Sequence, residues 1–139
     1  MHIRPAKWRD GMKIGQLSEL TGLSIDTLRY YEKIGLIDPP FRKGGQRLYD
    51  PDAVRWIDFL KALKATGMSL EDMKRYALMR RKGNATAANR RVMLENQHAQ
   101  VLARIAELNA CAALLDYKIA NYHEIEAVHA AADKKRFNT

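Results

Sequence analysis

Ser24-Ile25-Asp26-Thr27-Leu28-Arg29-Tyr30-Tyr31-Glu32-Lys33-Ile34-Gly35 has the marks of a short helix with both ends specified. Ser24 can accept hydrogen bonds from the first unpaired amides, and Gly35 can enter the left-handed conformation that stops a helix. Ile25, Leu28 and Ile34 are expected to pack inward. Ser24, Asp26, Thr27, Arg29, Tyr30 and Lys33 then lie on or near the outer side, a mixture of hydrogen-bonding, cationic and aromatic groups suited to the base edges and phosphates of a DNA groove. A solvated amphipathic helix would show a similar face, so the neighbouring segments decide between the two.

Upstream, Ile14, Leu17 and Leu20 recur on one side, and Thr21-Gly22 closes a first short helix. Two short helices around a tight Gly-containing turn are the form of a helix-turn-helix. Downstream, Phe41-Arg42-Lys43-Gly44-Gly45-Gln46-Arg47-Leu48-Tyr49 carries a hairpin signal. Its flanks present Arg42, Lys43, Gln46 and Arg47, while Phe41, Leu48 and Tyr49 can face the domain. Such a basic wing fixes register on the phosphate backbone more than it reads sequence.

Asp50-Pro51 opens the next helix as cap and first helical position, with Val54, Ile57, Leu60 and Leu63 as its buried stripe. Arg55, Lys61 and Lys64 lie on its other faces, and Thr66-Gly67 ends it. Ser69 caps a further helix with Glu71 and Asp72 in its first turn and Arg80-Arg81-Lys82 near its end, the arrangement the helix dipole favours. Met68, Leu70, Met73, Tyr76 and Ala77 are assigned to the core. With no thiolate beside them, Met68, Met73 and Met79 are read as packing and not as a metal site.

Beyond Gly83-Asn84 the pattern changes. Leu94, His98, Val101, Ile105, Leu108, Ala112, Leu115, Ile119 and Tyr122 recur at alternating spacings of four and three, a coiled-coil seam. The corresponding helix is about 42 Å long at 1.5 Å per residue, too long for the small preceding domain to cover. The same helix from a second copy would cover it, so a homodimer is expected, with His98 as a buried polar group fixing register. The expected organisation is a flexible arm over 1–11, a DNA-binding domain over 12–83, a dimerisation helix over 84–126 and a frayed tail over 127–139. The fold class is mainly α: a winged helix-turn-helix, a helix pair and a long coiled-coil dimerisation helix.

Charge supports a polyanionic partner. The chain of 139 residues carries a formal net charge of +8. Residues 1–83 hold 17 Lys/Arg against 10 Asp/Glu, leaving 7 against 6 for residues 84–139. A positive field concentrated in the first part attracts nucleic acid through counterion release. No apolar run is long enough to span a bilayer, and the start lacks the core of a signal peptide, so a cytoplasmic protein with no membrane partner is expected. The lone cysteine, Cys111, excludes an intrachain disulfide framework. The four histidines and Cys111 form no spaced nucleophile and base set, so an enzyme is not expected, and neither a cofactor nor a metal is implied.

With these pieces assembled, the sequence resembles the MerR family of transcription regulators from Lys13 to about Tyr122. The resemblance rests on Leu28-Arg29-Tyr30-Tyr31-Glu32-Lys33-Ile34-Gly35-Leu36-Ile37, on Gln46-Arg47-Leu48-Tyr49, and on Leu60-Lys61-Ala62-Leu63-Lys64 with Thr66-Gly67-Met68-Ser69-Leu70. It implies groove and backbone contacts for Arg29 and Tyr30, a wing phosphate contact for Arg47, a phosphate grip for Lys64 and a wing-anchoring role for Tyr49. It also implies an antiparallel arrangement of the coiled-coil helices, in a dimer that bends and undertwists a promoter with an overlong spacer, so that RNA polymerase is served indirectly through the DNA. The end of the dimer helix, Ile119-Ala120-Asn121-Tyr122-His123-Glu124, holds no cysteine, which disfavours a thiolate metal sensor. The stretches Arg80 to Thr86, Ala103 to Leu108 and Leu114 to Ile119 look most like the short aldehyde- or stress-responsive branch. That branch often has a thiol where Ala62 stands here. Cys111 is the remaining candidate sensor, giving a thiol-switched regulator as one alternative and an architectural DNA-binding protein without an effector as another.

Overall fold

The computed structural model describes residues 10–137. In chain order they form α1 (Ile14–Thr21), α2 (Ile25–Lys33), β1 (Phe41–Lys43), β2 (Gln46–Leu48), α3 (Ala53–Ala65), α4 (Leu70–Arg81), a 3-10 turn at Asn84–Thr86 and α5 (Ala87–Phe137). The chain divides after Gln97 into two compact units, so α5 begins within the first and makes up the second. The expected arm over 1–11 lies, except for Asp10 and Gly11, outside the described residues.

Local chemistry accounts for each boundary. Ser24 Oγ accepts the Thr27 amide at 3.1 Å and starts α2. Gly35, at φ +84°, stops it: Leu36 N donates to Tyr31 O at 2.8 Å and Gly35 N to Glu32 O at 3.2 Å, the paired bonds of a Schellman motif. The wing is a two-residue hairpin in which Lys43 pairs with Gln46, and Gly44 and Gly45 both take positive φ, as its tight turn requires. Met12 bridges to Tyr49, tying the segment before α1 to the root of the wing. Asp50 Oδ1 accepts the Asp52 amide at 2.8 Å across Pro51, and the helix proper begins at Ala53. Ser69 Oγ accepts the Asp72 amide and starts α4.

The core of the first unit joins the helix-turn-helix to the helix pair. Met12, Leu17, Leu28, Leu36, Ile37, Ile57 and Leu60 are almost fully buried. Trp56 donates its indole N–H to Leu36 O at 2.7 Å, stacks on Tyr76 at 5.9 Å and carries the Arg80 guanidinium at 4.2 Å on its ring. Arg81 reaches the other way, to Asp38 at 3.0 Å and to Gly35 O, so the end of α4 grips the exit of α2.

Several core assignments need correction. Leu20, Ile25, Phe41 and Leu70 are 37–43% exposed. On helices this short, one pair one turn apart reaches the core: Leu17 with Thr21 in α1, Leu28 with Tyr31 in α2. Thr21 is tolerated there because its hydroxyl donates to Leu17 O at 2.8 Å. The buried stripe of α3 runs through Trp56, Ile57, Leu60 and Leu63, leaving Val54 half-buried at its margin.

Two corrections concern α5. Leu94, assigned above to the seam, packs with Met93 against the core of the first unit, and Gln97 is 9% exposed, its amide donating to Thr66 O at 3.2 Å and Thr66 Oγ1 at 2.9 Å. The helix also does not fray at Glu126 but continues through Phe137. Ala127, Ala130, Ala131 and Ala132 favour helix strongly, and Lys134, Lys135 and Arg136 in the last turn complement its dipole. From Ile105 to Tyr122 the larger apolar seam residues are about half or more exposed on the single chain.

Candidate nucleic-acid interface

Three separate stretches of sequence meet in one cleft of about 480 Å³, lined by Lys13, Ile14, Arg29, Gln46, Arg47 and Tyr49. Lys13 stands at the start of α1, with its backbone amide held by Gln16 Oε1 at 3.0 Å. Arg29 projects from the middle of α2, and Gln46 and Arg47 come from β2. A concave surface carrying three cations and an amide, bordered by the β1–β2 hairpin, has the charge that attracts a nucleic-acid backbone.

The wing is fastened to α2 through Glu32. Its Oε2 accepts from the Tyr49 hydroxyl at 2.9 Å, and its Oε1 from Arg47 Nη2 at 3.3 Å. Tyr49 is only 4% exposed; burial, followed by the hydrogen bond to and the negative charge of Glu32, pushes its phenol above the ordinary value of 10.0. Tyr49 is therefore an anchor within the site, and its hydroxyl is already committed. At the other end of the wing, Lys43 pairs with Asp10 at 2.8 Å, and Arg42 Nη1 reaches Gly45 O at 3.5 Å.

The remaining residues distribute as follows. Asp26, Tyr30 and Lys33 are exposed on α2, while Ser24 and Thr27 form its cap, with their hydroxyls 2.8 Å apart. Lys61 donates to Thr21 O at 2.6 Å and so closes the C-terminal end of α1, whereas Lys64, one turn on, is exposed. Neither lies in the cleft. Sequence reasoning missed Lys13 and Glu32. The first was detectable as a cation just ahead of the first periodic helix. The second was detectable as an acid in the last turn of α2, where the helix dipole disfavours it unless a cation answers. His98 and Cys111 are exposed on α5, and Val101 is half-buried.

The chain matches a family model described as MerR HTH family regulatory protein over residues 12–79 and one described as MerR, DNA binding over residues 54–117. It is 41% identical over 113 residues to an HTH-type transcriptional regulator of Haemophilus influenzae, covering 80% of this chain and 83% of that one. The chain belongs to the MerR family. Among solved structures, a MerR family transcriptional regulator from Listeria monocytogenes superposes with a TM-score of 0.80 at 34% identity, covering 92% of this chain and 99% of the other. HiNmlR, a MerR family regulator lacking the sensor domain and solved bound to promoter DNA, superposes with a TM-score of 0.72 at 37% identity, covering 84% and 94%. AdhR of Bacillus subtilis is 36% identical over 92 residues, 66% of each chain. As a MerR family member, this protein is a transcription regulator with a DNA-binding domain, and no described helix is long and apolar enough to cross a membrane.

Proposed function

We propose that the protein acts as a homodimer that binds promoter DNA sequence-specifically and regulates transcription by distorting a spacer that is too long for polymerase. The observation that carries the DNA-reading part is the cleft itself: Arg29 of the second helix and Arg47 of the wing share one concave surface with Lys13. Base discrimination then belongs to the exposed face of α2, with Asp26, Thr27, Arg29, Tyr30 and Lys33, while Lys13, Arg42, Lys43, Gln46, Arg47 and Lys64 hold the backbone on either side. The dimer reading is supported by Ile105, Leu108, Leu115, Ile119 and Tyr122, large apolar side chains left exposed at heptad spacing. Burying their exposed apolar surface, at about 25 cal/mol per Å², would favour pairing with a second copy.

The distortion part of the reading is supported by membership of the MerR family. A dimer whose two recognition helices do not match the half-site spacing of straight DNA must bend or twist the duplex to engage both. The architectural alternative differs in one measurable respect, because it predicts equal affinity for unrelated duplexes once salt is fixed. Titrating the full chain, at one salt concentration, against DNA from upstream of its own gene and against a permuted duplex separates the two. Preference for the upstream duplex by at least about a thousandfold is expected for a specific regulator; equal affinity would favour the architectural protein.

A further inference from the structure

Glu32 is the acid that pairs with a cation lining the cleft. Its side chain is 20% exposed and stands in the last turn of α2, where the negative end of the helix dipole opposes it. It accepts from Tyr49 at 2.9 Å, and that bond alone would need only a neutral acceptor. The charge has a second correspondent: Arg47 Nη2 at 3.3 Å, on a guanidinium whose side chain is 58% exposed and lines the cleft.

We infer that Glu32 is a positioning residue that sets DNA specificity by holding Arg47 against indiscriminate phosphate binding. The inference rests on the DNA-binding reading above. A guanidinium has five N–H donors in a fixed fork, and the pairing with Glu32 engages it through Nη2. The other donors stay available in a single orientation. A phosphate brought there in register by α2 meets an aimed fork. A phosphate arriving out of register would have to draw Arg47 away from Glu32 and would itself approach a carboxylate, so the exchange returns little. Without that acid, Arg47 would be released beside Lys13 and Arg29 to meet the phosphates of any duplex.

Glu32→Gln separates this role from simple anchoring, because the amide oxygen still accepts from Tyr49 while the charge is gone. The full chain is titrated against two duplexes over a range of salt: the winning sequence of a selection by the wild-type protein from random duplexes, and a permutation of it. With Glu32→Gln, affinity for the permuted duplex is expected to rise about three- to tenfold and its log–log salt slope to steepen by about one, the signature of one more released phosphate contact. Affinity for the selected duplex changes less, so the ratio of the two falls. Glu32→Ala, which also strips the Tyr49 acceptor, should lower the melting temperature where Glu32→Gln does not. Unchanged affinity and slope on the permuted duplex, or equal weakening on both duplexes, would overturn the inference. If the wild type shows no sequence preference in the selection, the DNA-reading proposal fails first and the inference falls with it.

Discussion

Arg29 lines the cleft, while Tyr49 ties the wing to α2 through Glu32. Arg29 projects from α2 into the cleft, so Arg29→Ala should weaken operator binding about ten- to hundredfold while leaving the sedimentation of the protein unchanged. Unchanged operator affinity would mean that another element enters the groove. Tyr49 acts through the wing. Tyr49→Phe removes the bond to Glu32 and should cost about 1 kcal/mol of stability at neutral pH. Because its folded-state phenol titrates above the unfolded value of 10.0, the stability it adds is complete below pH 10 and is lost as pH rises through the folded value. Urea midpoints of wild type and Tyr49→Phe should therefore converge between neutral and strongly alkaline pH; a constant difference would contradict the assignment. Which residues line the cleft is partly legible in the sequence. Arg29, Gln46 and Arg47 follow from helix face and hairpin position, whereas Lys13 lines it by the approach of α1 to α2 and the wing, and Glu32 meets Arg47 and Tyr49, fifteen and seventeen residues away, which no periodicity reveals.

Among the elements, the helices with strong end signals were the most legible. Ser24, Gly35, Gly44-Gly45 and Ser69 each impose a local hydrogen-bonding geometry that depends on few neighbours, and the start of α2, its stop, the hairpin turn and the start of α4 fall there. Faces were less legible, because α1 and α2 are too short for a 3.6-residue pattern to fix their rotation; Leu20 and Ile25 were assigned inward and stand at the rim. The heptad seam began one turn too early for a related reason. Leu94 satisfies the spacing but is claimed by the first unit, and Gln97, polar and off the seam, is the buried residue that binds α5 to the end of α3. Gln97→Leu would leave Thr66 without those donors and should destabilise the first unit by about 1–2 kcal/mol, with faster amide exchange around Thr66 and in the first turns of α5. Exchange indistinguishable from wild type would show that the bond does not hold α5 in place.

At the scale of the whole molecule, α5 is a helix of 51 residues that begins within the basic first unit and makes up the second, where Ile105, Leu108, Leu115, Ile119 and Tyr122 are about half or more exposed on the single chain. Replacing Ile105 and Leu108 by Lys should convert a sedimenting dimer to monomer and reduce operator affinity with it, since each half-site alone contributes only part of the binding energy. Retained dimer would place the contact elsewhere on the chain. In the proposed function, two copies grip one operator and deform it between them. Hydroxyl-radical footprinting of the full chain on DNA upstream of its own gene tests this most directly. Two protected patches placed symmetrically about a centre between the promoter elements, with altered backbone reactivity at that centre, are the predicted result; a single patch, or protection indifferent to sequence, would contradict it.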